Sequence, residues 1–183
     1  GGKYSSLMAL ADPTFPDLAN PRHDYAGKLM ALAAYGDLGD ATDEDRGVVE
    51  RLLLLDRLFP FDKGQFRGRH LYSCGIEDPR FRAAAKLLSN RMFEEFARAA
   101  TVFVEPVPLL VAGGCGLNCD WNTAWVRSGI FSEVFVPPCA NDSGSAIGTA
   151  VDAMVHLGEE PRLTWSVDAG DEFLMDVEPD PAR

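Results

Sequence analysis

The stretch that decides the fold runs from Leu109 to Ala150 and reads LLVAGGCGLNCDWNTAWVRSGIFSEVFVPPCANDSGSAIGTA. Its alternation of apolar runs with glycine-rich or polar turns predicts two successive strand–turn–helix units. The predicted elements are a strand over Val107–Ala112, a helix over about Leu117–Arg127, a strand over Val134–Val136 and a helix over Ala146–His156.

Two such units in succession predict parallel strands, because a crossover helix returns the chain to the same edge of the sheet. The turns after the two strands, Gly113-Gly114 and Asn141–Ser145, then fall on the rim where ligands of such sheets bind. Glycines beside a helix N-terminus can cradle phosphate. Two ordinary strand–helix turns explain the same letters, so the pattern by itself leaves nucleotide binding open.

Other helices are predicted upstream. Ala26–Tyr35 has helical periodicity and Gly36 at its exit, and Thr42 with Asp45 resembles a capping box for a helix reaching about Leu58. Asp78-Pro79 predicts a helix start, and that helix would run to about Ala100. The residues of its predicted core stripe are Phe81, Ala84, Leu88, Met92, Phe96 and Ala99.

Composition excludes some classes of function. The 183 residues fit one domain, and the net charge of −11, from 28 acidic and 17 basic residues, argues against a nucleic-acid-binding surface. No apolar run is long enough to span a membrane, and the first ten residues do not resemble a signal peptide. The four cysteines lack zinc-finger spacing, so we expect reduced thiols in a cytoplasmic protein.

Three sequence blocks carry a family resemblance. AGGCGLNCDWN at 112–122, VFVPPCANDSGSAIGTAVDA at 134–153 and AGKLMALAAYG at 26–36 resemble motifs of the O-carbamoyltransferases of the nodulation and antibiotic-biosynthesis type. The blocks occur in family order over about two thirds of the chain. The cysteine-containing turn and ADPTFPD at 11–17 resemble the members that carbamoylate cephalosporins.

The resemblance implies a fold and a reaction. The fold would be α/β of the actin-like ATPase (ASKHA) type, similar to the tRNA threonylcarbamoyl-transfer proteins. Residues 1–170 would form the second half of an N-terminal domain, and 171–183 a linker or truncated continuation. Carbamoyl phosphate and ATP would give carbamoyl adenylate, and the carbamoyl group would pass to a hydroxyl of a small natural-product acceptor such as a cephalosporin.

The resemblance also implies site residues. The predicted nucleotide-binding residues are Lys28, Gly113, Gly114, Gly116, Asn118, Ser143 and Gly144. Asp142 matches a family ligand of Fe(II) or a similar divalent metal, whereas the histidine pair of the family has no match here. No catalytic base is assigned. The chain also departs from the family pattern at Ala26, where glutamate is common, and at Thr149, where alanine is.

Several alternatives stay open. Lys28 can be an ordinary surface lysine, and Asp142 a helix cap. A sugar or acyl kinase of the same superfold would show similar glycine turns, and a half-domain that only binds a partner would need no chemistry. We expect this chain to be inactive alone, to bind the remaining domains of a longer enzyme, and to form a homo-oligomer if an apolar face is left uncovered.

Overall fold

The structure, a computed structural model, describes residues 1–102 and 107–163. It divides into two units, one over Gly1–Asn141 and one beginning at Asp142. The helices are α1 (Gly2–Ala11), α2 (Tyr25–Ala34), α3 (Asp43–Leu54), α4 (Pro79–Ala100), α5 (Cys119–Ser128) and α6 (Ser145–His156). The strands are β1 (Leu18–Ala19), β2 (Phe61–Asp62), β3 (Leu109–Leu110) and β4 (Val134–Phe135). The expected linker over 171–183 lies outside the described residues.

The first helix is the centre of the larger unit. Helix α1 packs against α2, α3 and α4, and Leu7 and Leu10 on it are fully buried. Periodicity predicts no helix here, because α1 is buried on every side from Tyr4 to Ala11 and lacks the alternation of apolar and polar faces that a half-exposed helix shows. A helix buried all round needs no polar face.

Helices α3 and α4 begin where their capping signals predict. Thr42 and Asp45 form the capping box of α3, and the Asp78 carboxylate accepts hydrogen bonds from the first backbone N–H groups of α4. Asp45 is buried and also pairs with Arg80 on α4, with Nε 2.8 Å from Oδ2. This ion pair fixes the starts of the two helices against each other.

The end of α3 and the burial of the α4 stripe differ from the prediction, whereas α4 ends at Ala100 as predicted. Helix α3 stops at Leu54 rather than Leu58, and the Lys3 ammonium donates hydrogen bonds to the last carbonyls, including 2.9 Å to Leu52 O. A cation suits a helix C-terminus, where carbonyls lack partners. In the predicted core stripe of α4, the residues of the first half are buried, whereas Phe96 in the second half is 46% exposed.

The predicted parallel pairing of the doubled unit is confirmed. Strands β3 and β4 are parallel, with Leu109 opposite Val134 and Leu110 opposite Phe135. Strands β1 and β2 form a separate antiparallel pair. Both sheets have two strands of two residues each in the described part of the chain, which is shorter than the predicted strands. The actin-like fold therefore stays a prediction.

Within residues 1–102 and 107–163, every helix is too short or too polar to cross a bilayer.

Candidate functional site

Two of the three sequence blocks meet at a cavity. The first turn of α2, carrying Ala26 and Gly27, lies across a space of about 360 Å³ from the turn that carries Gly114 and Asn118. A second cavity of about 380 Å³ is lined by Gly27 and Asn118 as well. The walls of both are mostly apolar, with a few polar groups, which is the usual make-up of small-molecule sites. The fold thus brings together segments that lie almost ninety residues apart in the sequence.

The three glycines of the AGGCGLNCDWN block have different roles. Gly113 has φ +87°, a conformation that favours glycine, and its N–H donates to Ala140 O at 2.5 Å. Gly116 is buried, and a Cβ there would lie 2.6 Å from the Cβ of Ala140. Gly114 lines the cavity, and a Cβ on it would meet no atom within 4 Å. A Cβ on Gly113 would also meet no atom within 4 Å, so Gly114 is distinguished by combining open space with a place in the cavity wall.

Asn118 lines the cavity and also makes hydrogen bonds that stabilise the fold. It is 4% exposed, its Oδ1 accepts a hydrogen bond from Trp121 N at 3.1 Å, and its Nδ2 donates to Tyr4 Oη at 3.4 Å. The first of these bonds caps α5. The carboxamide is thus held in place rather than free to follow a ligand.

A buried polar network fixes this wall of the cavity. Tyr4 Oη and Trp121 Nε1 both donate to Ser89 Oγ, at 2.8 and 3.0 Å. Burial raises the pKa of Tyr4, so its hydroxyl stays a donor at neutral pH. The network ties α1, α4 and α5 together behind the turn. Sequence patterns gave no sign of it, because its members lie far apart along the chain.

Ser89→Ala should destabilise the protein by about 2–4 kcal/mol, since it leaves two buried donors without an acceptor. Ser6→Ala is the matched control, because Ser6 Oγ is buried and has no hydrogen-bond partner among the described residues. We expect that variant to change the free energy of unfolding by no more than about 0.5 kcal/mol. Urea unfolding followed by circular dichroism measures both values, and equal costs for the two serines would contradict the network.

Lys28 lies in the first turn of α2 and is half exposed. Its Nζ is 2.7 Å from Asp24 Oδ2, and the hydrogen bond from Lys28 lowers the pKa of Asp24. Asp24 is the N-cap residue of α2, but its side chain makes no capping hydrogen bond. The pairing accounts for a cation near a helix N-terminus without a ligand, so the nucleotide role of Lys28 stays a prediction. Lys28 is not among the residues that line the two cavities described above.

The turn carrying Asp142 belongs to the second unit. Asp142–Gly144 forms a 3-10 turn before α6, and Ser145 Oγ donates to the backbone carbonyl of Asp142 at 2.7 Å. Gly144 is the N-cap residue of α6, so Asp142 does not cap this helix. Among the described residues of its own unit, 142–163, the exposed Asp142 carboxylate has no hydrogen-bond or salt-bridge partner. Ser143 and Gly144 lie in the same turn.

The residues that the structure describes do not build a metal site. No group of three or more His, Cys, Asp or Glu side chains in 1–102 and 107–163 is placed to hold a metal ion. The four cysteines are free thiols. Asp142 can therefore supply one ligand, and these residues do not complete an iron site around it.

Comparison with known proteins identifies the class. Residues 104–151 match the family described as Carbamoyltransferase N-terminus. Nodulation protein U of Rhizobium tropici is 56% identical over 66 residues, which cover 36% of this chain and 11% of that protein. The chain is therefore related to the O-carbamoyltransferases, as the sequence blocks predicted.

Two further relatives match along the whole of this chain. The 3'-hydroxymethylcephem-O-carbamoyltransferases of Amycolatopsis lactamdurans and Streptomyces clavuligerus are 52% and 51% identical to the chain over all of its length. The chain spans 36% of the length of each of these relatives. No solved structure matched the chain significantly.

Proposed function

We propose that the protein carrying this chain transfers a carbamoyl group from carbamoyl phosphate to a hydroxyl of a small natural product such as a hydroxymethyl cephalosporin. Water would first take the phosphoryl group of the donor as inorganic phosphate, and the carbamate oxygen left behind would attack the α-phosphorus of ATP and displace pyrophosphate, giving carbamoyl adenylate. The acceptor hydroxyl would then lose its proton and attack the carbonyl carbon, with AMP as the leaving group. One observation carries the proposal: two of the three blocks that resemble carbamoyltransferase motifs, 26–36 and 112–122, line one cavity, in a chain 52% identical to a 3'-hydroxymethylcephem-O-carbamoyltransferase. The product would belong to antibiotic biosynthesis.

The chemistry of the cavity suits an anionic ligand. The first turn of α2 has no side-chain cap, and Gly114 lets a ligand come close to the backbone. Backbone N–H groups at a helix N-terminus favour phosphate and carboxylate oxygens. The apolar walls would exclude water from a carbamoyl adenylate, which is open to hydrolysis. We assign phosphate contacts to Gly113 and Gly114, and supporting contacts to Lys28, Gly116, Asn118, Ser143 and Gly144.

Residues outside this chain are proposed to complete the enzyme. Parallel sheets are normally covered on both faces, whereas Leu110 on β3 and Phe135 on β4 are 73% and 57% exposed. Helix α6 has no buried residue, although Ile147 and Val151 are apolar. We propose that further domains of the complete protein cover these surfaces, and that the chain alone self-associates through them. Free thiols and ATP fit a cytoplasmic location.

The test is a transfer assay. The complete protein, given ATP, carbamoyl phosphate and a hydroxymethyl cephalosporin, should yield the cephalosporin carbamate by mass spectrometry. The 183-residue chain alone should yield none, because no group of three metal-binding side chains is formed among residues 1–102 and 107–163, and Asp142 is the one metal ligand we assign. Omitting carbamoyl phosphate is the control. ATP consumption with a sugar or acyl acceptor but not with carbamoyl phosphate would instead indicate a kinase, and the absence of any turnover would indicate a non-catalytic partner domain.

A further inference from the structure

The start of α2 is fixed from outside the helix. Its N-cap residue, Asp24, makes no capping bond, so the first turn needs another anchor. Tyr25, the first residue of the helix and 5% exposed, donates its hydroxyl hydrogen to Asp12 Oδ2. Its ring also packs against Phe15, with centroids 6.3 Å apart. Tyr25 directly precedes Ala26 and Gly27, which line the cavity.

Asp12 is itself held rigidly by the loop ADPTFPD. Its other carboxylate oxygen, Oδ1, accepts from Thr14 N at 2.8 Å and from Thr14 Oγ1 at 2.7 Å. The ammonium of Lys63, a residue only 1% exposed, donates to Asp12 O at 2.5 Å and to Phe15 O at 3.4 Å. A buried cation on backbone carbonyls is costly to displace. The loop therefore offers α2 a fixed point.

The charge states suit this hydrogen bond. Burial, followed by the hydrogen bond to Asp12, raises the pKa of Tyr25 to about 12. Burial acts to raise the pKa of Asp12, but the hydrogen bonds from Tyr25 and Thr14 hold it below its ordinary value. At neutral pH a phenol hydroxyl thus meets a carboxylate, the stronger charge-assisted kind of hydrogen bond.

We propose that Asp12 and Tyr25 are positioning residues that set the first turn of α2 against the turn carrying Gly114, and so shape the nucleotide side of the cavity. The ligand part of this inference rests on the proposed function. Neither residue needs to touch the ligand, since the effect passes through Ala26 and Gly27.

Tyr25→Phe in the complete protein tests the inference, because it removes the hydroxyl and keeps the ring. We expect it to weaken ATP binding about tenfold in calorimetry, the loss for one charge-assisted hydrogen bond. It should also speed hydrogen exchange at the amides of the first turn of α2 without affecting those of α4. Tyr72→Phe is the matched control: Tyr72 Oη donates to Asp17 Oδ1 at 2.6 Å, at the other end of the same loop. That variant should leave ATP binding and α2 exchange unchanged.

The outcomes separate this inference from the proposed function. Unchanged exchange in the first turn of α2 after Tyr25→Phe would overturn the positioning role, whatever the ligand. Equal effects of the two tyrosine variants would also overturn it, because they would indicate general loosening of the loop. If the wild-type protein binds no ATP, the proposed function fails, while the exchange measurement still decides the positioning role.

Discussion

Gly114→Val is expected to weaken ATP binding at least about a hundredfold, about 2.7 kcal/mol of binding free energy, while the protein stays folded. Gly114 lines the cavity between α2 and the GGCGLN turn, and the space beside its Cα is open. A valine side chain would fill the position that phosphate oxygens must approach. The φ of Gly114 lies outside the left-handed region, so a valine at this position would not be strained by its backbone conformation. Calorimetry on the complete protein measures the affinity.

Two other glycines separate this effect from a folding defect. Gly47→Val places the same side chain at an open, exposed position on α3 and should leave ATP affinity unchanged. Gly116→Val should instead destabilise the fold, because its Cβ would lie 2.6 Å from the Cβ of Ala140. Wild-type ATP affinity in a folded Gly114→Val protein would show that phosphate does not bind at this turn.

Local signals in the sequence predicted the helix starts and the strand pairing. The capping box at Thr42 and the cap at Asp78 involve partners within three residues, so the sequence contains the whole interaction. The parallel pairing of β3 with β4 follows from chain connectivity. These features are local or topological, and the structure contains them as predicted.

Features that depend on packing could not be predicted in this way. Helix α1 carries no amphipathic pattern, because every face is buried. Gly36 was interpreted as the exit of α2, but a Cβ there would also clash with the backbone carbonyl of Arg82 on α4. The spacing of Leu55 and Leu58 continued the helical pattern of α3, which predicted an end at about Leu58. The helix ends at Leu54 instead, where the Lys3 ammonium donates hydrogen bonds to the last carbonyls. Each outcome depends on a residue distant in sequence.

The candidate site shows the same division. The sequence blocks predicted turns for ligand binding, a role that stays a prediction, and the structure shows that α2 and the GGCGLN turn line one cavity. It also distinguishes Gly114, which faces open space, from Gly116, which packs on Ala140. Asn118, predicted as a ligand contact, is the cap of α5 as well. Two residues of the same type in one motif can thus have different surroundings, and these surroundings depend on residues that are distant in the sequence.

Asp142→Asn is expected to remove bound iron from the complete protein and to abolish carbamoyl transfer. Asp142 is exposed, has no ion-pair partner among residues 142–163 of its unit, and does not cap α6, whose N-cap residue is Gly144. A ligand role would account for a carboxylate at this position. Asparagine keeps the size and removes the charge that a hard or borderline cation requires. Metal content is measured by mass spectrometry of the purified protein, independently of activity.

Asp152→Asn is the matched control, because it makes the same change at an exposed position further along, on α6. It should keep full metal content and transfer. After removal of metal with a chelator, both variants should melt within a degree or two of equally treated wild type, since Asp142 caps no helix and bound metal no longer contributes to stability. Normal iron content in Asp142→Asn would exclude the ligand role, and a large fall in melting temperature without metal loss would assign Asp142 to folding instead.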